Sequence, residues 1–347
     1  MTREIVIAAV QLPAFPQGSR DTEKKEYNFQ MAEYWLDQAG HQGAGIACVG
    51  EEFNAHGIDL SFENFESLVK GDFEAVIDRL GPVARRNHMY IIAPIYGIVE
   101  GIRRNIAMLL DRSGKYIGGY IKVHCIENER AYGVVPGDGW PTFDLDFGCI
   151  GIEICHDNSF PESARCLALN GAEIVFWPHV MGGWGGEFMD ILLRAPAIHN
   201  GIHFVPACYG CDPGMAWRPG EMLLGRSSII GPDAIIHADA GRYTGIALAR
   251  VDLDKPRIAH EFTRHGEWVW KPDMLMDRRP DTYGSLVKPK EKIEPVSPQS
   301  SRTGNLKGEQ EKSNAPQPEI NHSGRLPWKS EGPENKTRQV KMKKEGE

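Results

Sequence analysis

No part of this 347-residue chain stays apolar for the roughly 20 consecutive residues that a membrane-spanning helix needs, so no α-helical span is expected. We expect the N-terminus to form a first strand and not a signal peptide, because Arg3 and Glu4 precede only a short apolar run and no small-residue cleavage site follows it. Cysteine is scarce, and its count of seven is odd, so the chain does not have the disulfide framework of a small secreted protein. We therefore expect a cytoplasmic protein with reduced thiols and no membrane partner.

A repeated metal-binding motif is absent from the sequence as well. Cys208 and Cys211 form one CxxC pair, but no second Cys pair accompanies it, as a zinc ribbon requires. The pair follows an apolar stretch, and we interpret it as the end of a core strand. We expect neither a catalytic metal nor any other cofactor.

Apolar residues are depleted in the last part of the chain. Residues 285–347 are rich in Lys, Glu, Pro, Ser and Asn, and Trp328 is their one aromatic residue. Such a segment cannot bury enough apolar surface to offset the conformational entropy that folding removes. The sequence therefore predicts a folded domain over 1–284 and a disordered charged tail over 285–347.

Positive charge is scarce in the predicted domain. Thirteen Lys and Arg and nine Asp and Glu give the tail a net charge of +4, so the overall formal charge of −8 leaves −12 for residues 1–284. A strongly acidic body repels the phosphate backbone of nucleic acids. We therefore expect no nucleic-acid partner.

Apolar strands alternate with helices along the predicted domain. Strands are predicted over 4–12, 45–50 and 90–97, over a hairpin of 103–111 with 115–124, and over 202–210 and 243–254. A pair of strands joined at 231–233 is predicted within 225–240. Helices are predicted over 21–39, 61–87 and 188–199, and a helix with a following strand over 163–179. This alternation favours an α/β sandwich with sheets inside and helices outside.

The segment 149–162, CIGIEICHDNSFPE, places one thiol where a strand gives way to a helix. Apolar residues alternate at Ile150, Ile152 and Ile154, and the Asp, Asn, Ser and Pro that follow indicate a turn and a helix start. At this junction the N–H groups of the following helix favour a thiolate and can stabilise an oxyanion. Cys155 is therefore either a nucleophile or one more buried core cysteine.

Three further reactive side chains lie where predicted strands or a hairpin end. Glu51 follows the strand over 45–50, Lys122 lies in the second strand of the hairpin, and Glu129 lies in the loop after it. The carboxyl ends of strands are where α/β proteins build their sites. Each of the three taken alone is equally compatible with a solvent-exposed charge, and Glu127 is an alternative to Glu129.

In this order and spacing, the four residues and their surroundings (VGEEFNAHG, YIKVH, ENERAYG and GIEICHDNSFPE) resemble the nitrilase superfamily of carbon-nitrogen hydrolases. The resemblance extends over residues 4–284 and includes NGAEIVFWP, RAPAIHNGIHFVPA, GRSSIIGPDA and GIALARVDLD. Gly50 stands where this family usually has proline before the glutamate. The resemblance implies a four-layer αββα sandwich and a homodimer or larger homo-oligomer joined through helices over 163–170 and 188–199.

The resemblance also implies a role for each reactive residue. Cys155 is the nucleophile, Glu51 the general base and acid, and Lys122 the electrostatic stabiliser. Glu129 is a second carboxylate that positions Lys122 or the substrate. Covalent cleavage of a carbon-nitrogen bond needs these roles: a thiolate, a group that carries its proton to the leaving amine, and a cation for the oxyanion. The expected substrate is a small amide or N-carbamoyl amine.

Residues after the nucleophile bear on the choice of substrate. His156, with its main-chain N–H near the oxyanion, Asn158 and His179 are the expected substrate-binding residues. Nitrilases in the strict sense usually carry Trp where this chain has His156. Hydrolases of N-carbamoyl amino acids commonly present arginines where it has Asn158 and Ser159.

These differences favour a neutral or cationic substrate over a carboxylate. A distal ammonium would meet Glu52, Glu127 or Asp157, although each is also a plausible solvated or capping carboxylate. Two other functions are compatible with the same residues: hydrolysis of a nitrile, and a non-catalytic or amidotransferase-like subunit.

Overall fold

The computed structural model describes residues 3–181, 186–211, 225–254, 258–262, 268–272, 275 and 278–288. The chain divides into two units, Met1–Tyr283 and Gly284–Glu347. Only 284–288 of the second unit are described, and they begin with a short 3-10 helix, Gly284–Val287. Most of the tail predicted over 285–347 therefore lies outside the described residues. No helix within the described ranges is long and apolar enough to cross a membrane.

The first unit alternates strands and helices. In chain order, its described elements are β1 Glu4–Pro13, α1 Asp21–His41, β2 Ile46–Cys48, α2 Phe65–Val69, α3 Asp72–Asn87, β3 Tyr90–Val99, β4 Ile102–Leu110, β5 Tyr116–Ile121, α4 Glu127–Ala131, β6 Thr142–Asp144, β7 Cys149–Ile152, α5 Pro161–Leu169, β8 Ile174–Pro178, α6 Gly186–Asn200, β9 His203–Ala207, β10 Tyr209–Gly210, β11 Ser228–Ile230, β12 Ile236–Asp239, β13 Gly245–Asp252, β14 Ile258–Phe262 and β15 Trp268–Pro272.

The first sheet has the strand order β10-β1-β2-β3-β4-β5, and β13 pairs with β1 as well. Strands β1, β2 and β3 are parallel, whereas β4 and β5 each pair antiparallel with the strand before them. The turn between β4 and β5 contains Gly114 at φ 82°, a left-handed conformation that costs glycine little. Two reversals leave β5 running in the same direction as β3, so the carboxyl ends of β2, β3 and β5 lie at one edge.

The second sheet has the strand order β12-β11-β9-β8-β7-β6. Strands β7, β8 and β9 are parallel, and their carboxyl ends share one edge of this sheet. Strands β11 and β12 form the antiparallel pair that the sequence predicted. A separate antiparallel pair is formed by β14 and β15.

Strand β1 shows why the two sheets stack. Ile5 and Ile7 pack with apolar residues of β7 and β8, whereas Ala8 and Val10 pack with apolar residues of α1 and α3. Alternate residues of a strand point to opposite faces, so a strand that is apolar throughout is covered on both faces. On the far side, Val175 of β8 packs with apolar residues of α5 and α6. These layers confirm the four-layer αββα sandwich.

Short elements account for the differences from the predicted secondary structure. The single helix predicted over 61–87 is two helices, α2 and α3, separated at Gly71, whose φ of 81° is left-handed and ends helical geometry. Helix α4 has 5 residues and strand β6 has 3, too few to show a periodic pattern in the sequence.

Truncation after Lys288 tests whether the tail contributes to the fold. We expect the shortened chain to keep its fold, melting temperature and activity, because the removed segment offers few apolar anchors. Thermal melts and rates of the two forms, measured side by side, check this. A large fall in either quantity would show that tail residues such as Leu326 or Trp328 dock on the domain.

Candidate active site

Reactive side chains from both sheets come together at the carboxyl ends of their strands. Glu51 follows β2, Lys122 follows β5 and Cys155 follows β7. All three are buried, with relative exposures of 2%, 1% and 7%. Because the strands before them run parallel within each sheet, the fold carries residues far apart in sequence to one place.

The centre of the site is the Lys122 ammonium, which lies between two carboxylates. Its Nζ is 2.8 Å from Glu51 Oε1 and 2.9 Å from Glu129 Oε2. Asn105 of β4 donates its Nδ2 to both carboxylates, at 2.9 Å from Glu51 Oε1 and 2.7 Å from Glu129 Oε1. One ammonium, two carboxylates and one amide therefore form a closed network that fixes all four side chains.

Glu129 holds its place through the helix it belongs to. Its Oε2 accepts the main-chain N–H of Ile126 at 2.7 Å, so one carboxylate both caps α4 and binds Lys122. Glu127, the alternative weighed from the sequence, is exposed. The structure brings Glu129 to the site and leaves Glu127 outside it.

Asn105 is a residue of the site that sequence reasoning missed. The signal was present, because an asparagine inside the otherwise apolar run NIAMLL is buried and must find hydrogen-bond partners. The residue types of those partners, however, depend on contacts with β2 and α4 that no local pattern encodes.

The Glu51 main chain is held from the opposite side by Tyr209. The phenol Oη donates to the Glu51 carbonyl oxygen at 2.5 Å, and the ring stacks on His56 with centroids 3.6 Å apart. Glu51 Oε2 forms no hydrogen bond with a side chain or main-chain group of the described residues. The Cys155 thiol lies beside this carboxylate. Glu51 raises the pKa of the thiol, and the contact with the thiol lowers the pKa of Glu51.

Cys155 occupies a strained turn. It begins a 3-10 helix, Cys155–Ser159, with a φ of 48°, which is left-handed and unfavourable for a residue with a Cβ. Trp177 Nε1 donates to the Cys155 carbonyl oxygen at 2.8 Å, and the main-chain N–H of Val180 donates to the sulfur. Val180 was not expected at the site, yet it lies just beyond β8, whose carboxyl end is at the same edge.

Asp157 ties the Cys155 turn to the strand that carries Lys122. Its carboxylate accepts the main-chain N–H of Ile154 at 2.8 Å, the Tyr120 hydroxyl at 2.7 Å, and both the main-chain N–H and the Nδ1 of His124 at 2.9 and 2.8 Å. The side chain is fully buried. Asp157 is therefore a structural link between the two sheets, and its oxygens are not available to a distal ammonium.

A comparison with models of protein families identifies the family of this chain. The family model described as carbon-nitrogen hydrolase matches residues 6–258. The chain belongs to the carbon-nitrogen hydrolase family. It is therefore an enzyme, and the alternative of a non-catalytic subunit receives no support.

Curated relatives of this carbon-nitrogen hydrolase include several amidases. It is 28% identical to the N-carbamoylputrescine amidase of Solanum lycopersicum, a match that covers 82% of this chain and 95% of the relative. It is 29% identical to the deaminated glutathione amidase of Synechocystis sp., over 66% of this chain and 87% of the relative. It is also 29% identical to a nitrilase of Pyrococcus abyssi, over 69% of this chain and 89% of the relative.

Solved structures support the fold of the hydrolase. An amidase from Nesterenkonia sp. superposes with a TM-score of 0.64 at 22% identity, covering 82% of this chain and 96% of the amidase. A mutant of the amidase from Nesterenkonia sp. AN1 that carries the acetamide moiety of fluoroacetamide on its active-site cysteine superposes with a TM-score of 0.61 at 23% identity, over 72% of this chain and 90% of that one. Both belong to the same sandwich architecture.

Burial and close charges determine the protonation states of the hydrolase site. Burial raises the pKa of the Cys155 thiol well above its ordinary value, and the Glu51 carboxylate raises it further. Burial also raises the pKa of Glu51. Burial alone would lower the pKa of Lys122, but Glu51, Cys155 and Glu129 outweigh it and raise the pKa, so the ammonium stays charged. These shifts favour the protonated thiol of Cys155 over the thiolate expected at a helix start.

The three expected substrate-binding residues, His156, Asn158 and His179, differ in their exposure and in their hydrogen bonds. His156 is partly exposed, and its Nδ1 lies 3.2 Å from Ser159 Oγ. Asn158 is buried, and its Nδ2 donates to the Leu192 carbonyl oxygen of α6 at 3.0 Å, so one half of its amide already has a partner. Contact of either residue with a substrate stays a prediction.

His179 is buried next to Trp177, the residue that donates to the Cys155 carbonyl oxygen. Its ring stacks on Trp177 with centroids 3.9 Å apart, and its Nδ1 accepts the main-chain N–H of Met181 at 3.2 Å. Burial lowers the pKa of His179 to about 3, so the ring is neutral near pH 7. Its Nε2 has no hydrogen-bond partner among the described residues. A role in substrate binding stays a prediction here as well.

Replacement of Cys155 tests its assignment as the nucleophile. We expect Cys155→Ala to fold and to lose turnover, because removing one small side chain costs about 1 kcal/mol of stability whereas covalent catalysis is abolished. Rates and thermal melts should be measured together. Cys166→Ala, on α5 and outside the site, is the matched control and should keep its rate. A Cys155→Ala enzyme with a near wild-type rate would contradict the assignment.

Exhaustive chelation tests the expectation that no metal takes part. In the described part of the chain, no group of three or more His, Cys, Asp or Glu is arranged to hold a metal ion. We expect activity to survive a strong chelator unchanged on the timescale of the assay. Activity that is lost and then restored by zinc would instead implicate the Cys208 and Cys211 pair.

Proposed function

We propose that this enzyme hydrolyses a small linear amide or an N-carbamoyl amine through a thioester on Cys155. The observation that carries the proposal is the buried Lys122 ammonium, held at 2.8 Å from Glu51 and 2.9 Å from Glu129, beside a thiol that contacts the Glu51 carboxylate. This arrangement supplies a nucleophile, a proton carrier and a fixed positive charge.

In the first half of the reaction, Glu51 takes the thiol proton as Cys155 Sγ attacks the carbonyl carbon. The Lys122 ammonium and the main-chain N–H groups near the sulfur stabilise the negative charge on the carbonyl oxygen. The carbon-nitrogen bond then breaks, and the leaving nitrogen takes the proton from Glu51. The acyl or carbamoyl group stays on the sulfur as a thioester.

In the second half, water replaces the amine. Glu51, again a carboxylate, takes a proton from the water as its oxygen attacks the thioester carbon. The carbon-sulfur bond breaks, and the proton returns from Glu51 to the sulfur. Glu129 does not exchange a proton in either half. It keeps Lys122 charged and fixed, and Asn105 holds both carboxylates at their distances.

The relatives support a carbon-nitrogen bond of the amide or carbamoyl type. N-carbamoylputrescine amidases match most of this chain, and a solved amidase with the same sandwich carries the acetamide moiety of fluoroacetamide on its active-site cysteine. A nitrile is the second candidate, because a nitrilase is also among the relatives. Because His156 stands where strict nitrilases usually carry Trp, we favour an amide or carbamoyl substrate over a nitrile.

We also propose that the substrate is neutral or cationic at its distal end. Asn158 and Ser159 occupy the turn where hydrolases of N-carbamoyl amino acids commonly present arginines. Arg226 is already engaged by Asp190 and by Asp239 at 3.2 Å, and Arg218 lies outside the described residues. A substrate carboxylate would therefore lack a free cation in the described part of the site.

We also propose that the enzyme forms a homo-oligomer and that it is cytoplasmic. Helices α5 and α6 expose apolar side chains, namely Leu169, Phe188, Ile191 and Ile198. Covering them with a second copy of the chain would form the homo-oligomer that the family resemblance implies. All seven cysteines are free thiols, which fits the cytoplasmic location that we propose.

The ratio of specificity constants for three substrates tests this choice. We expect kcat/KM for N-carbamoylputrescine to exceed the values for N-carbamoyl-β-alanine and for a nitrile of matched length. The physical reason is that the described part of the site offers no free cation for a carboxylate. In addition, His156 stands where strict nitrilases usually carry Trp. A preference of more than about tenfold for the carboxylate, roughly 1.4 kcal/mol, would mean that an arginine such as Arg218 or Arg226 binds it.

A further inference from the structure

Glu52, the residue after the proposed general base, has an unusual backbone conformation. Its φ of 51° is left-handed, which a residue with a Cβ adopts only at a cost. The chain that follows enforces it, because the Phe53 N–H donates to the Pro94 carbonyl at 3.1 Å and the Ala55 N–H donates to the Glu52 carbonyl at 2.9 Å. These contacts hold the Glu52 main chain in a fixed conformation beside Glu51.

Glu52 differs from its neighbours in exposure. Glu51, Phe53, Asn54 and Ala55 are buried, whereas Glu52 is partly exposed. Its carboxyl group is nevertheless close enough to Glu51, Lys122 and Glu129 to interact with their charges. Glu52 therefore combines partial exposure of the residue with a carboxyl group that is desolvated beside the reactive residues, as a group at the edge of the substrate site would be.

The hydrogen bonds around Glu52 indicate where its proton lies. The Tyr96 hydroxyl donates to Glu129 Oε1 at 3.5 Å and also contacts the Glu52 carboxyl group. A phenol has one proton, so it cannot donate to both carboxylates at once. A proton on Glu52 would relieve this competition. The contact with Tyr96 by itself lowers the pKa of Glu52, but burial, followed by the Glu51 charge, outweighs it and raises the pKa to about 8.

The site has more carboxyl groups than cations among the described residues. Glu51 and Glu129 share the Lys122 ammonium, whereas no Lys, Arg or His of the described residues forms an ion pair with Glu52. Tyr132, partly exposed, also lies near Glu52, and its ring meets Tyr96 edge-on with centroids 6.4 Å apart. A carboxylate beside two phenol rings is a favourable environment for an ammonium group, through ion pairing and cation–π attraction.

We propose that Glu52 determines specificity by binding a positively charged group, a primary ammonium in the simplest case, at the end of the substrate away from the carbon-nitrogen bond that is cut. The inference rests on the proposed function and extends it to one residue. Glu127, exposed on α4, and Asp157, saturated by internal hydrogen bonds, do not take this role.

A pH dependence follows from the proton on Glu52. The titratable or charged groups that face it are Glu51, Tyr96, Lys122, Glu129, Tyr132 and Tyr209. An ammonium binds the ionised form of Glu52, so kcat/KM for a cationic substrate should fall about tenfold per pH unit below the pKa of about 8. A neutral substrate does not require that ionisation. Titration of the other groups affects both substrates and cancels in their ratio.

The test compares N-carbamoylputrescine with n-butylurea, which has the same chain length and no ammonium. We expect the wild-type ratio of kcat/KM, cation over neutral, to exceed ten at pH 8.5 and to rise between pH 6.5 and 9. Glu52→Gln, which keeps the shape of the side chain, should lower the ratio at least tenfold and remove its rise with pH. Glu127→Gln is the matched control, and its ratio should equal the wild-type value.

Three outcomes would overturn the inference: a wild-type ratio below one, an unchanged ratio in Glu52→Gln, or a wild-type ratio that does not vary with pH. The last needs no variant, so it decides the matter even if Glu52→Gln does not fold. Hydrolysis of n-butylurea that requires Cys155 would support the proposed function whatever the ratio. A fourth outcome, absence of turnover with both N-carbamoylputrescine and n-butylurea, would overturn the inference as well. If a wider panel of linear amides, other N-carbamoyl amines and nitriles also gave no turnover, the proposed function itself would be overturned.

Discussion

The buried Lys122 ammonium is the constraint on which the rest of the site depends. An isolated ammonium in a protein interior carries a desolvation penalty of several kcal/mol, which only close, well-oriented partners offset. Glu51 and Glu129 provide them at 2.8 and 2.9 Å. Removing one partner of such a buried pair typically costs about 3–5 kcal/mol, because the remaining charge is left uncompensated. The charge that, in our proposal, stabilises the oxyanion therefore also joins the segments that follow β2 and β5 to α4.

Two polar residues carry this constraint into the surrounding structure. Asn105 joins β4 to both carboxylates, and Asp157 joins the Cys155 turn to Tyr120 and His124, on either side of Lys122. The second link crosses from one sheet to the other, so the nucleophile and the ammonium are positioned together. The same rigidity maintains the left-handed conformations at Cys155 and Glu52, at φ 48° and 51°, which would otherwise relax.

Charge balance explains how one site can combine reactivity with selectivity. Lys122 neutralises only part of the negative charge that Glu51, Glu52 and Glu129 can carry. Burial holds protons on Cys155 and on Glu52 in the resting enzyme, since it raises the pKa of both groups. Glu51 can then act on the thiol, while in our proposal a cationic substrate displaces the proton of Glu52. The two proton movements involve different residues and can be measured separately.

The sandwich, and the three residues Glu51, Lys122 and Cys155 that it brings together, could be predicted from the sequence alone. Apolar alternation in β1 and β7 and the turn after Ile154 are local patterns, and the order of Glu51, Lys122 and Cys155 carries the family resemblance. Only the tertiary structure distinguished Glu129 from Glu127, placed Asn105 and Val180 at the site, and showed that Asp157 is internally saturated. The reason is that these outcomes depend on which strands are neighbours and on how completely each polar group is desolvated. Neither quantity is a property of a local stretch of chain.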